Sequence, residues 1–146
     1  MFKHVLLPTD GAPIARKAIK AGVALAKELG AKVTAYYALD TRSYIYTDGY
    51  VLNTAALKEF DKQGHERGTR YLAEVEKTAT AAGVACQTLI TKPATAAQGI
   101  VAAAKKQKCD VVFMASHGRG ELATLLLGSV TQKVLALSKV PVLVYR

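Results

Sequence analysis

No stretch of this 146-residue chain approaches the ~18–20 consecutive apolar residues that a membrane-spanning helix requires. The start, Met1-Phe2-Lys3-His4, leads into only Val5-Leu6-Leu7 before Pro8, too short a run for the apolar segment of a secretory signal. A cytoplasmic protein with no membrane partner is the expectation. Cysteine is scarce: Cys86 and Cys109 lie far apart and form no C-x-x-C pair. That argues against redox or metal-binding roles and predicts two small buried side chains on or beside strands. Acidic residues are also few, 11 against 20 Lys and Arg, for a net charge of +9. Such an excess suits either an anionic partner or simply a basic protein. The basic residues are dispersed, no nucleic-acid module is recognisable, and no aromatics interleave with them, so nucleic acid is not the expected partner. The one cluster, Lys105-Lys106-Lys108, falls at an expected helix C-terminus, where cations suit the helix dipole. There is no internal repeat, low-complexity tract or linker, and the length fits one domain over residues 1–146 with a full core.

What is present is an alternation of short apolar runs and helical stripes. Lys3–Thr9 reads as a strand buried on both faces. Pro13 then suits the first turn of a helix, Ala15, Ala18, Ile19, Gly22, Val23, Ala26 and Leu29 mark its buried stripe, and Gly30 closes it. Lys32–Leu39 is a second strand, followed by a loop from Asp40 to Asn53 that carries Tyr44, Tyr46 and Tyr50. Packing of these rings over the sheet edge is the favoured reading. Asn53 is placed to cap a long helix from Thr54 to Ala82, in which Gly64 and Gly68 mark a bend or a close crossing, and His65 beside them faces solvent. Val84–Thr91 is the third strand. Thr95-Ala96-Ala97-Gln98 forms a capping box for a helix to about Lys108, and Asp110–Ala115 is the fourth strand. Leu125-Leu126-Leu127 covers apolar surface. Ser129-Val130-Thr131-Gln132 is a second capping box, for a helix to Leu137, and Val142–Tyr145 is the last strand. This order predicts an α/β fold: a doubly wound five-stranded parallel sheet with helices on both faces and right-handed crossovers. Ligands of such sheets bind beyond the C-terminal strand ends, at the point where strand order reverses. If the first and fourth strands are neighbours there, Asp10 and the glycine-rich Ser116-His117-Gly118-Arg119-Gly120 face one crevice.

That glycine loop, with nine residues between Gly118 and Gly128-Ser129, suits a phosphate. Glycine lets backbone amides approach an anion, and a helix N-terminus adds unsatisfied donors and a positive dipole end. The P-loop pattern G-x-x-x-x-G-K-[ST] is absent. Gly118-Arg119-Gly120-Glu121-Leu122-Ala123 matches the loose dinucleotide pattern, but no acidic residue follows to bind a ribose, which argues against a nicotinamide enzyme. Ser116 and His117 suggest nucleophile or acid–base chemistry, yet no third orienting group is recognisable. Asp10 has a second reading, as support for the start of the first helix. Ser129 has one as a helix cap.

The segments V-L-L-P-T-D-G at 5–11, S-H-G-R-G at 116–120, L-L-L-G-S-V at 125–130 and P-V-L-V at 141–144 resemble the universal stress protein family over the whole chain. The fold implied is flavodoxin-like and Rossmann-like. The family's ATP-binding members carry G-x2-G-x9-G-[ST]. Gly118, Gly128 and Ser129 match it at the right spacing, and Ala115 stands where the first glycine is found. Ala115→Gly is expected to tighten ATP; if position 115 needs a left-handed backbone, alanine costs ~1–2 kcal/mol. If it needs only a small side chain, alanine serves.

The resemblance implies a site residue by residue. Pro8, Thr9 and Asp10 would border adenine and ribose, with Asp10 accepting hydrogen bonds. Ala38 would touch adenine, Met114 would flank adenine or ribose, and Ala115 the ribose. His117, Gly118 and Arg119 would approach the phosphates. Gly128, Ser129, Val130 and Thr131 would hold them through amides and hydroxyls. The implied cofactor is ATP or another adenine nucleotide, with or without Mg, and the implied activity is stress-response regulation toward a protein partner. Slow ATP hydrolysis is compatible with this reading, and no catalytic residue is assigned. The alternatives are a dimeric scaffold that has lost nucleotide binding, supported by Ala115, and an adenylyl-transfer or hydrolytic enzyme using His117. The last strand, Val142–Tyr145, is expected at a sheet edge, and family resemblance implies a homodimer through it.

Overall fold

The computed structural model describes residues 1–40, 54–119 and 127–146. Along them run β1 (His4–Pro8), α1 (Pro13–Leu29), β2 (Lys32–Ala38), α2 (Thr54–Ala81), β3 (Cys86–Thr91), α3 (Ala96–Lys106), β4 (Val111–Ala115), α4 (Ser129–Leu137) and β5 (Val142–Tyr145). Every strand pairing is parallel, and the sheet order is β3-β2-β1-β4-β5. The chain builds outward from β1 through β2 and β3, then returns to add β4 and β5 on the other side. Strand order therefore reverses between β1 and β4, and the loops leaving their C-terminal ends diverge into a crevice, which meets the condition that the sequence left open.

Consecutive apolar residues give each central strand two buried faces. Val5, Leu7, Val33, Ala35 and Val111 pack with Val23 and Ala26 of α1 and Leu72 and Val75 of α2. Leu6, Tyr36, Val112 and Met114 face the opposite layer, with Ile100 and Ala103 of α3 and Val134 of α4. Burying each such side chain stabilises the fold by about 1.5–3 kcal/mol, so a one-residue slip of β1 would be heavily penalised.

Several helix ends follow the sequence closely. Ala12 caps α1 with Pro13 in its first turn, and Gly30 ends it with φ 59°. The Thr95 hydroxyl accepts from the Gln98 amide at the start of α3. It also donates to Gln98 Oε1, in place of the reciprocal bond of a full capping box. In α2, Gly64 and Gly68 mark a close crossing: a Cβ on Gly68 would collide with the Tyr37 ring, and one on Gly64 would press on Leu39.

Other boundaries differ. Gly128, not Ser129, is the N-cap of α4, and Ser129 is its first helical residue. Gln132 Nε2 accordingly donates to the Leu127 carbonyl at 2.6 Å rather than closing a box with Ser129. β3 begins at Cys86 because the Val84 amide turns back to the Ala79 carbonyl, completing the end of α2 after Gly83 at φ 74°. Asp110 precedes β4, and its carboxylate accepts from the Lys3 and His4 amides. α3 stops at Lys106, short of Lys108, which takes φ 54°. Cys109 is buried, and burial pushes its thiol up to about 11. Cys86 is only half-buried, and His65 is exposed. The tyrosine loop, Asn53 as a cap, and Leu125 and Leu126 lie outside the described residues.

Candidate functional site

A cleft of about 460 Å³ opens at the C-terminal ends of β1, β2 and β4, a volume in the range of small-molecule sites. Pro8, Thr9 and Asp10 enter it from β1 and Ala38 from β2. Met114 and Ala115 come from the end of β4, and His117, Gly118 and Arg119 from the loop beyond. Ser129, Val130 and Thr131 complete that side from the first turn of α4. Twelve of the thirteen residues assigned from the sequence thus meet in one cavity. Gly128 is the exception: it is buried behind the wall, and its amide donates to the Ser116 carbonyl at 2.7 Å.

Asp10 is the hub. Its Oδ1 accepts from the Ala12 amide at 2.9 Å, bracing the entry to α1. Its Oδ2 accepts from the Arg119 amide at 2.8 Å, across the reversal point. Both sequence readings of Asp10 therefore meet in one carboxylate: it supports the helix start and it lines the cleft. Gly118 is required beside it, because a Cβ there would stand 2.5 Å from Oδ2. Thr9 also braces the turn, its hydroxyl accepting from the Gly11 amide at 3.1 Å.

Arg119 is held at two levels. Its backbone is fixed by Asp10, and its guanidinium donates to the Tyr71 hydroxyl of α2 while lying 5.4 Å from the centre of that ring. The neighbouring His117 shares a hydrogen bond with Ser116, Oγ to Nδ1, at 3.0 Å. The first turn of α4 points its N-terminal end into the cleft. Amides of such a turn have no carbonyl within the helix to bond, and the dipole there favours an anion. The Thr131 hydroxyl is committed elsewhere: buried, it donates to the Ala115 carbonyl at 3.0 Å and pins α4 to β4. Any anion contact from Thr131 would thus come from its backbone.

Ala115 ends β4 in ladder with Tyr145, and among the described non-glycine residues only Lys108 has a positive φ. The left-handed alternative at position 115 is overturned. The alanine methyl packs with Ala12, Ala15 and Ala18 instead.

The cleft also contains residues that the sequence did not single out. Pro93, Ala94, Thr95 and Ala96 wall it from the β3–α3 junction, with Ile100 behind them. Tyr36 supports the floor, its hydroxyl 2.7 Å from Thr91 Oγ1, and burial pushes that phenol up. Arg67 of α2 adds a half-buried cation and Asp40 an acid. The Thr95 cap gave a usable signal, since any loop at a C-terminal strand end of this sheet faces the same side. The lining is apolar around Pro8, Ala38, Ile100 and Met114, and amide-rich and basic around Gly118, Arg119 and α4. That pairing fits a flat base joined to an anionic tail. Among the described residues, no group of three or more His, Cys, Asp or Glu is placed to hold a metal ion, and no helix is long and apolar enough to cross a membrane.

The model of the universal stress protein family matches residues 1–146. The chain is 30% identical over 159 residues to universal stress protein MJ0577 of Methanocaldococcus jannaschii, covering all of this chain and 96% of that protein. The MJ0577 structure superposes with a TM-score of 0.82 at 27% identity, over 99% of this chain and 95% of that one. Two further structures share the fold. One is a universal stress protein in complex with cAMP, at TM-score 0.69 and 24% identity, over 99% and 97% of the chains. The other is a family protein of Arabidopsis thaliana with AMP bound, at TM-score 0.68 and 13% identity, over 97% and 90%.

Proposed function

This chain belongs to the universal stress protein family, and on that premise we propose that it is a cytoplasmic stress-response regulator that binds ATP or another adenine nucleotide in the cleft between β1 and β4. Residues 1–146 would form a single domain. The observation that carries the reading is the convergence, in one cavity, of the Asp10-braced loop at Gly118–Arg119 with the first turn of α4. Pro8, Ala38, Met114 and Ala115 would take the base and ribose. His117, Gly118, Arg119, Ser129, Val130 and Thr131 would take the phosphates, with Gly128 shaping the turn from behind. Bound AMP and cAMP in proteins of the same fold support this assignment. The scaffold alternative drew on Ala115, which stands in the β4 ladder opposite Tyr145 and lines the cleft with its methyl; silence toward every nucleotide would favour it. The protein would act as a homodimer paired through β5, and the bound nucleotide would bias its surface toward a protein partner.

Titration calorimetry with ATP, AMP and NAD, each with and without Mg, tests the reading. Micromolar binding of an adenine nucleotide is expected. Ser129→Glu is the matching variant: Ser129 is exposed at the first position of α4, where an acid suits the dipole and spares the fold but repels phosphate. ATP binding should fall at least about tenfold in it through like-charge repulsion. Silence of the unmodified protein toward every nucleotide would reject the proposal.

A further inference from the structure

Tyr71 lies outside the cleft lining, in the core between α2 and the sheet, and its hydroxyl reaches Arg119 on the loop after β4. It projects from α2, is 7% exposed, and stacks edge-on against Tyr37 with ring centres 5.9 Å apart. Gly11 makes room for it: a Cβ at that position would overlap the Tyr71 ring, and the φ of 77° there favours glycine independently. The turn after β1 is therefore shaped to let the ring pass beneath it. At its far end the hydroxyl accepts from Arg119 Nη2, and the ring offers its face to the same guanidinium.

We propose that Tyr71 is the positioning residue that presents Arg119 to the phosphate tail of the bound nucleotide; this rests on the reading of the cleft given above. An arginine on an otherwise exposed loop samples many rotamers and loses that freedom when it grips an anion. Here Asp10 fixes its backbone and Tyr71 its head, so much of the ordering cost is met before the ligand arrives. The guanidinium presents five N–H donors in a rigid fork. One is given to the tyrosine hydroxyl, and a fork of this kind can turn further donors to phosphate oxygens. The aromatic face below the cation leaves its charge in place, whereas a carboxylate partner would compete with the phosphate for it. Tyr71 thus selects for ligands with a phosphate tail and has no bearing on the base.

Tyr71→Phe keeps the ring and removes only the hydroxyl, so its fold should be intact. Calorimetry should show ATP binding weakened about two- to tenfold, the range expected for losing one pre-ordered side chain, while adenosine binding is unchanged. Equal affinity for ATP in the variant and the unmodified protein would overturn the proposal. So would an equal loss for adenosine, which marks a merely structural tyrosine. A second readout is independent of nucleotide: the Arg119 Nε–Hε resonance in the ligand-free protein. It should be ring-current shifted and move toward the free-arginine position in Tyr71→Leu. If it already sits there in the unmodified protein, Tyr71 does not hold Arg119. If the unmodified protein ignores all nucleotides while this resonance behaves as expected, the nucleotide reading fails and the tyrosine's role in affinity falls with it, but the hold itself stands.

Discussion

The Oδ2 oxygen of Asp10 accepts the backbone amide of Arg119 at 2.8 Å, joining two loops that lie 109 residues apart in sequence on either side of the point where strand order reverses. Both residues line the cleft, so the bond ties two of its walls together. The same carboxylate braces α1 through the Ala12 amide, so the rim and the scaffold share one residue.

Asp10→Ala should therefore cost stability as well as affinity. Hydrogen bonds to a charged acceptor contribute about 1.5–3 kcal/mol each when removed, and partial exposure of this site places the loss toward the lower end. Urea unfolding should show a destabilisation of about 1–3 kcal/mol, and calorimetry a loss of nucleotide binding. An unaltered unfolding midpoint would mean that the loops are held by something else.

Gly118→Ala should act through the same bond. Its Cβ would stand 2.5 Å from Asp10 Oδ2 and force the carboxylate off the Arg119 amide. The two substitutions should be strongly non-additive in a double-mutant cycle, with a coupling energy of about 0.5–3 kcal/mol. Simple additivity would show that the glycine serves another purpose.

Ala115→Gly tests the departure from the family pattern. Position 115 lies in the β4 ladder and its methyl, at the cleft wall, packs against α1, so glycine would relieve no backbone strain there. It should lower stability by about 0.5–1 kcal/mol, the usual cost of glycine within a strand, and leave ATP affinity unchanged. Tighter binding in the variant would mean that the methyl does obstruct the site.

His4 predicts a pH dependence at the opposite end of the sheet. It is buried, with Nε2 2.7 Å from Thr34 Oγ1. Burial, with Lys32 nearby, holds its imidazole below the ordinary value of 6.5, against the opposing pull of Asp110 and the Gln107 and Lys108 carbonyls. The unfolded chain therefore takes up a proton here before the folded one does. This contribution is complete above pH 6.5 and is lost as pH falls from there toward the folded value. Denaturation curves between pH 7.5 and 5 should be flatter for His4→Gln than for the parent. Parallel curves would remove His4 as the source.

Pairing through β5 is testable by mass. β5 is the last strand in the sheet order, and Leu143 on it is 37% exposed. Leu143→Arg should convert a dimer into a monomer in light scattering coupled to gel filtration. A parent protein that is already monomeric would contradict the proposed assembly.

The sequence made the architecture legible for a simple reason. Val5-Leu6-Leu7 and Val111-Val112 have no polar alternation, so they had to lie between two helical layers, and a parallel sheet follows. The glycine loop and the helix start at Ser129 marked two stretches of the cleft wall, Gly118 and Ser129, by the same local logic. What escaped is non-local. Nothing about Tyr71 in a helical stripe says that its hydroxyl reaches Arg119, nor does Gly128 reveal that its amide is taken by Ser116. Such pairings depend on how far α2 and the β4–α4 loop lean over the sheet. The one-residue displacement of the α4 cap has a local cause: glycine at the N-cap is nearly as acceptable as serine.

The most direct test is an amide chemical-shift map of the protein titrated with ATP. Saturable shifts are expected at Gly118, Arg119, Val130 and Thr131, with adenine-dependent shifts at Ala38 and Met114, and silence around His4 and Cys109 at the other end of the sheet. Shifts confined to that far end, or none at saturating nucleotide, would contradict it.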